Sequence, residues 1–246
     1  MRDLLSLITP PARYYRRRIA AEARSGEPEL AVLQTLIRRG GTAVDVGANQ
    51  GFFAYVLSQH ADRVVAFEPN PDCALFARVM LRGRARVHRL ALSNEASRAT
   101  FRVPVDHDGT VLHFAGSLKD AHGQFPRYRA YEVEVRTLDS FALEDVRFIK
   151  IDVEGSEREV LDGARSTIAR HRPVLLLELL SGTHQDPGAY TAAICEAFDY
   201  DAVIVQRGEQ LPALPTIAAL GKNTSWGTDI ESRNVVFLPR RRTEGG

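Results

Sequence analysis

Residues 42–51 read TAVDVGANQG: a short, mostly apolar run, then a turn built on two glycines. The next stretch, GFFAYVLSQHA, has the make-up of a helix, so the segment is a strand–turn–helix unit. Outward from it the same unit recurs. RVVAFEP (63–69) is a second strand stopped by Pro69, and residues 71–82 form a helix with apolar positions at Leu75, Val79 and Met80. RVHRLAL (86–92), VRFIKIDV (146–153) and VLLLEL (174–179) are the next three strands. Between the last two, SEREVLDGARSTIARHR puts Val160, Leu161, Ala164 and Ile168 on one helical face. DAVIVQ (201–206) and NVVFLP (234–239) complete the series. Near-continuous apolar strands separated by helices predict an α/β fold, Rossmann-like and doubly wound, with a mostly parallel sheet covered on both faces.

The predicted organisation is an N-terminal helical segment (1–40), one domain over 41–240 and a disordered tail at 241–246. Within the domain, residues 99–137 break the alternation. TFRVPV and YEVEVRTL alternate like half-exposed strands around a polar stretch, which predicts an insertion lying as a lid over the sheet's edge. Residues 207–233, rich in turn formers and holding the sole tryptophan, Trp226, form a second irregular region.

Composition excludes several classes. A formal net charge of +1 provides no global basic field for nucleic acid. Cys73 and Cys195 form no CxxC pair, so neither a disulfide scaffold nor a structural zinc site is expected, and a cytoplasmic setting fits. No apolar run approaches the roughly 20 residues of a membrane span. The opening MRDLLSLITPP lacks a signal peptide's cleavage site. Arg16, Arg17 and Arg18 form the one basic run, either a solvated helix face or a weak contact for an anionic membrane surface.

The first-strand loop carries the ligand chemistry. Gly47 permits a tight turn, and Gly51 lets the next helix start close to the sheet. The loop lacks the full GxGxxG that cradles a pyrophosphate, and Asp45 at the strand's end would repel one. Glu68 ends the second strand, 23 residues after Asp45, where an acidic side chain accepts hydrogen bonds from ribose hydroxyls. An adenosine without phosphates and with a cationic portion fits both acids, which points to S-adenosylmethionine. The plain alternative is a pair of turn glycines beside two surface acids.

The segments VDVGANQGFFA, AFEPNP, RTLD, FIKIDVEGSEREVLDGA and LLLEL resemble the FkbM family of S-adenosylmethionine-dependent methyltransferases over about residues 40–180. The resemblance implies the class I methyltransferase fold, a seven-stranded sheet whose last strand is antiparallel. It also implies O-methylation of hydroxyls on a small molecule, glycan or secondary metabolite. By resemblance, Asp45, Gly47, Asn49 and Gly51 contact the methionine end of the cofactor, and Ala48 and Phe52 in the same loop also bind the cofactor. Glu68, Pro69 and Asn70 contact the ribose and adenine. One departure from the family lies near Met80–Gly83, where asparagine is often found.

IKIDVEGSE (149–157) concentrates Asp152, Glu154 and Glu157 at the end of the fourth strand. Ligands of doubly wound sheets bind outside the carboxyl ends of the strands, so Asp152 is expected to face the transferable methyl group. Asp152 or Glu154 would accept the proton of an attacking hydroxyl, and His184, after the fifth strand, is a further candidate base. His107, His113 and His122 lie in the insertion. Ser156 and Glu159 spell a capping box, which makes Glu157 and Glu159 structural. Lys150 either pairs with a carboxylate or extends to solvent. Asp152, Glu154 and Glu178 would suit Mg²⁺, but no His or Asn stands at a diagnostic spacing and no metal is assigned. A nicotinamide-dependent oxidoreductase and a noncatalytic cofactor-binding module are the competing readings. The methyl acceptor and the oligomeric state stay open.

Overall fold

The computed structural model describes residues 10–25, 29–37, 39–119, 125–180, 186–206, 208–220 and 232–240. The predicted tail, His122, His184 and Trp226 lie outside them. Helices α1 (Pro11–Ser25) and α2 (Glu29–Leu36) precede β1 (Thr42–Val46), α3 (Phe52–Leu57), β2 (Arg63–Phe67), α4 (Pro71–Met80), β3 (Arg86–His88) and β4 (Ala91–Leu92). The insertion contributes β5 (Ser97–Val105) and β6 (Arg127–Arg136). The chain returns through β7 (Val146–Ile151), α5 (Glu157–Asp162), α6 (Arg165–His171) and β8 (Val174–Glu178). It ends with α7 (Pro187–Phe198), β9 (Tyr200–Gln206), β10 (Glu209–Pro212), α8 (Ala213–Leu220) and β11 (Asn234–Pro239).

The main sheet runs β10-β9-β11-β8-β7-β1-β2-β3. Neighbours from β8 to β3 pair in parallel, and β11 is antiparallel to both β8 and β9. The antiparallel last strand is therefore present, but the sheet has eight strands rather than seven. The addition is β10, a short hairpin partner of β9. It ends in Pro212, which has no N–H to offer a further strand and so blunts the edge.

Strand periodicity sorts the core into two layers. Val44, Val46, Ile149, Ile151, Leu175 and Leu177 point to one face and meet Val160, Leu161 and Ile168 of α5 and α6, together with α7. Ala43, Phe148, Val174 and Leu176 point to the other and meet Tyr15, Leu33, Phe53 and Ala77 of α1 to α4. Being buried on both sides, these strands are apolar throughout, which is why their sequences run rather than alternate.

Three local expectations need correction. Leu75 and Val79 of α4 are 64% and 52% exposed; the helix buries Cys73, Ala74, Ala77 and Met80 instead. Small side chains at that spacing let α4 lie close to the sheet, and a Cβ on Gly51 would already touch Leu81 and Ala77. RVHRLAL splits, β3 staying in the main sheet while β4 joins β6. SEREVLDGARSTIARHR is two helices, and Gly163 at the junction packs against the backbone of Ser93, where a Cβ would stand 2.0 Å from the carbonyl oxygen.

The insertion is an antiparallel β5–β6 hairpin with β4 added in parallel, over its own small core of Phe101, Val103, Val133 and Val135. Residues 113–119 emerge from this sheet and reach the carboxyl ends of the main strands.

Candidate active site

Strand order reverses around β1, whose partners β2 and β7 lead the chain in opposite directions across the sheet. A cavity of about 310 Å³ opens at the carboxyl ends of these strands. Asp45, Gly47, Ala48, Asn49, Phe52, Glu68 and Pro69 of the predicted set line it, as do Asp152 and Glu154. Gly51 and Asn70 stand behind the wall. Gly51 is packed under Leu81 and Tyr15, and Asn70 is fully buried.

The loop after β1 is held by backbone and carboxylate together. Gly47 has φ +79°, and a Cβ there would come within 1.8 Å of the Asp152 carbonyl oxygen, so only glycine fits between the two loops. Glu68 accepts the Asn49 N–H at 2.6 Å and the Asn70 N–H at 2.7 Å, one on each carboxylate oxygen. It thus ties the glycine loop to the end of β2, a structural task the sequence did not reveal. Its remaining lone pairs still line the cavity. Burial pushes its carboxyl up to about 7, against the pull of those two N–H groups. The Asn70 side chain caps α4 through the Asp72 N–H and donates to His113 Nδ1 at 3.0 Å, which places the ring proton on Nε2. Of the insertion's histidines, His113 therefore belongs to the cavity wall, whereas His107 is exposed.

Register decides the buried charges. Lys150 pairs across from Asp45, so both side chains leave the sheet on the α3 side. Lys150 is 3% exposed, lies 4.7 Å from the Phe53 ring centroid and donates to Asp152 Oδ2 at 2.7 Å. Of the two options open to it, pairing is the one realised. Asp45 is fully buried, and its oxygens lack a well-formed hydrogen bond, the Ala54 N–H offering only a loose contact. Desolvation raises it to about 6 in spite of Lys150. Asp152 is different. Burial works against its charge, but Lys150 and a hydrogen bond shared with Glu178 prevail and hold it below the ordinary range. Glu178 is pushed up to about 9 by burial and by the Asp152 charge, so it carries the pair's proton at neutral pH.

The loop 152–156 is shaped by Glu157. Buried, it accepts the N–H groups of Val153 and Gly155, and Glu154 and Gly155 both take positive φ, +54° and +99°. The capping box is not formed. Ser156 sits at φ −107°, ψ 21°, outside the extended region an N-cap needs, and its hydroxyl makes no cap bond. Glu157 is structural by another route, one that depends on the loop's path. Glu154, a non-glycine held in left-handed backbone at a cost of order 1–3 kcal/mol, has its carboxyl raised to about 7 by burial, then by Asp152 and Glu157. The insertion fastens this loop: Ser117 Oγ donates to the Glu154 carbonyl, and Lys119 Nζ to that of Gly155. Asp152, Glu154 and Glu178 each place an oxygen within 4.8 Å of the others, near enough to share a proton or a divalent cation.

A family model described as the Methyltransferase FkbM domain matches residues 45–203. The chain belongs to the FkbM methyltransferase family. The 2-O-methyltransferase NoeI of Sinorhizobium fredii is 27% identical over 145 residues, covering 52% of this chain and 59% of that protein. The chain thus spans less than two thirds of that relative's length. A crystal structure of methyltransferase FkbM from Methylobacillus flagellatus superposes with a TM-score of 0.55 at 19% identity, over 92% of this chain and 50% of that one, and shares the fold. The FkbM cofactor is S-adenosylmethionine, and the cavity suits it. Asp45 is a buried carboxylate without a firm partner, Gly47 leaves room where any Cβ would collide, and the wall is rich in acids that a sulfonium and an ammonium would satisfy.

Proposed function

We propose that this FkbM protein methylates a hydroxyl group of a small molecule or glycan, acting in the cytoplasm. When bound, S-adenosylmethionine supplies an electrophilic methyl group on a cationic sulfur. The chain's own residues have three tasks. Asp45 and Asp152 offer negative charge to the cationic end of the cofactor, and Glu68 offers lone pairs to its ribose. Glu154 takes the proton of the attacking hydroxyl, since a base works best with a pKa near the working pH. Glu178, protonated, and Lys150 hold Asp152 ionised and in place.

The observation that carries the reading is Glu154, raised to about 7 and facing the same cavity as Asp152. NoeI, named a 2-O-methyltransferase, supports a hydroxyl acceptor. Cys73 and Cys195 are buried and not joined in a disulfide, which suits a reducing compartment. No described helix is long and apolar enough to cross a membrane. The test is incubation of purified protein with methyl-labelled S-adenosylmethionine and hydroxylated metabolite or oligosaccharide pools, read by mass spectrometry. Label on an oxygen, lost in Glu154→Gln, is the expected result. Label on nitrogen or carbon, or tight NAD binding without affinity for S-adenosylmethionine, would replace the reading.

A further inference from the structure

Helix α1 precedes the matched family region, which begins at residue 45, yet three of its side chains converge on one residue of the glycine loop. Tyr15, fully buried, donates its hydroxyl to the Gln50 carbonyl at 2.8 Å and stacks on Tyr55 with centroids 4.5 Å apart. The Tyr14 hydroxyl donates to Gln50 Oε1 at 3.0 Å. Arg18 Nη1 donates to the same oxygen at 3.3 Å, and its guanidinium lies 5.2 Å from the centroid of the Phe52 ring. This anchoring sets Arg18 in the wall of the cavity, beside the loop that the resemblance assigns to the methionine end.

Charge is unevenly distributed around that wall. Asp45, Glu68, Asp152, Glu154 and Glu178 contribute carboxyl groups; the lining cations are Arg18, Lys150 and Arg233. Lys150 is buried against Asp152. Arg233 precedes β11, and its charge acts on Asp152 and Glu154. A methionine end carries an ammonium and a carboxylate. Beside the ionised members of this set an anion is repelled. Arg18 is held against the glycine loop, and the Tyr15 hydroxyl feels both Arg18 and Asp45. An ammonium toward Asp45 and a carboxylate toward Arg18 would thus bracket one residue. A guanidinium's planar fork suits a carboxylate.

We propose that Arg18 forms the subsite for the α-carboxylate of the cofactor, which makes the N-terminal helix part of the cofactor site. The proposal rests on the reading of the cavity as an S-adenosylmethionine site. Calorimetry on the full chain tests it with three ligands: S-adenosylhomocysteine, decarboxylated S-adenosylmethionine, and 5′-methylthioadenosine, which has no amino-acid portion. Arg18→Gln is expected to weaken S-adenosylhomocysteine by about tenfold or more and to leave the other two within about twofold, with Arg18→Lys intermediate. Equal weakening of all three ligands would mean that Arg18 only docks α1, and an unchanged S-adenosylhomocysteine affinity would remove it from the site; either overturns the proposal alone. Wild-type protein that binds none of the three overturns the cofactor reading, and this proposal with it.

Discussion

Replacing Asp45 with asparagine is expected to stabilise the ligand-free protein while weakening its hold on the cofactor. The carboxyl is fully buried and raised from 3.8 to about 6. A raised carboxylate pKa means that the folded state holds the proton more tightly than the unfolded chain does. Below about pH 3.8 both states are protonated and nothing is lost. Stability then falls as pH climbs through the window up to about 6, and above it the full penalty applies. A rise of that size corresponds to about 3 kcal/mol, an upper bound, since the new amide needs hydrogen bonds of its own. A net gain of about 1–2 kcal/mol would raise Tm by roughly 2–8 °C for a chain of this size. Differential scanning fluorimetry at pH 8 and pH 5 reads it directly, with the larger gain expected at pH 8. In the same assay the shift produced by S-adenosylhomocysteine should shrink, because the buried charge that the ammonium would satisfy has gone. A variant no more stable than wild type at pH 8, or one equally stabilised at both pH values, would refute the idea that Asp45 is an ion only partly compensated by Lys150 and kept for its ligand.

The companion expectations concern the other side of the cavity. Gly47→Ala should destabilise by at least about 2 kcal/mol in urea titration, since it adds both a left-handed alanine and a collision with the Asp152 carbonyl; a neutral effect would mean that the two loops can separate. Glu154→Gln should lower kcat by roughly 10²–10⁴ with S-adenosylhomocysteine affinity nearly unchanged. The wild-type rate should rise as pH passes about 7, where Glu154 loses its proton and becomes a base; that limb should vanish in the variant. Lys150→Met leaves Asp152 and Asp45 without their buried cation. A loss of about 3–5 kcal/mol is expected at pH 8, and it should diminish toward pH 5, where the acids can take up protons.

Much of the site was readable because it lies on short contiguous segments. Asp45, Gly47 and Asn49 share one turn, and Asp152 and Glu154 another; strand–turn–helix chemistry specifies where each turn sits. The capping box failed because the buried Glu157 carboxylate holds the Val153 and Gly155 N–H groups, and in the loop so held Ser156 lies outside the extended region. Leu75 and Val79 misled because an apolar stripe does not say which of two faces lies nearer the sheet, and α4 used its small residues to approach more closely.

From the chain alone followed the doubly wound class, the strand ends at which a ligand sits, and the acids found there, because these depend on periodicity and on residues near one another in sequence. Tertiary structure decided which charges meet. The β1–β7 register set Lys150 opposite Asp45, the insertion brought His113 and Ser117 across the cavity, and α1 carried Arg18 to the glycine loop. Those contacts join residues that are tens of positions apart. Their energies come from desolvation and close approach in three dimensions, to which spacing along the sequence is blind.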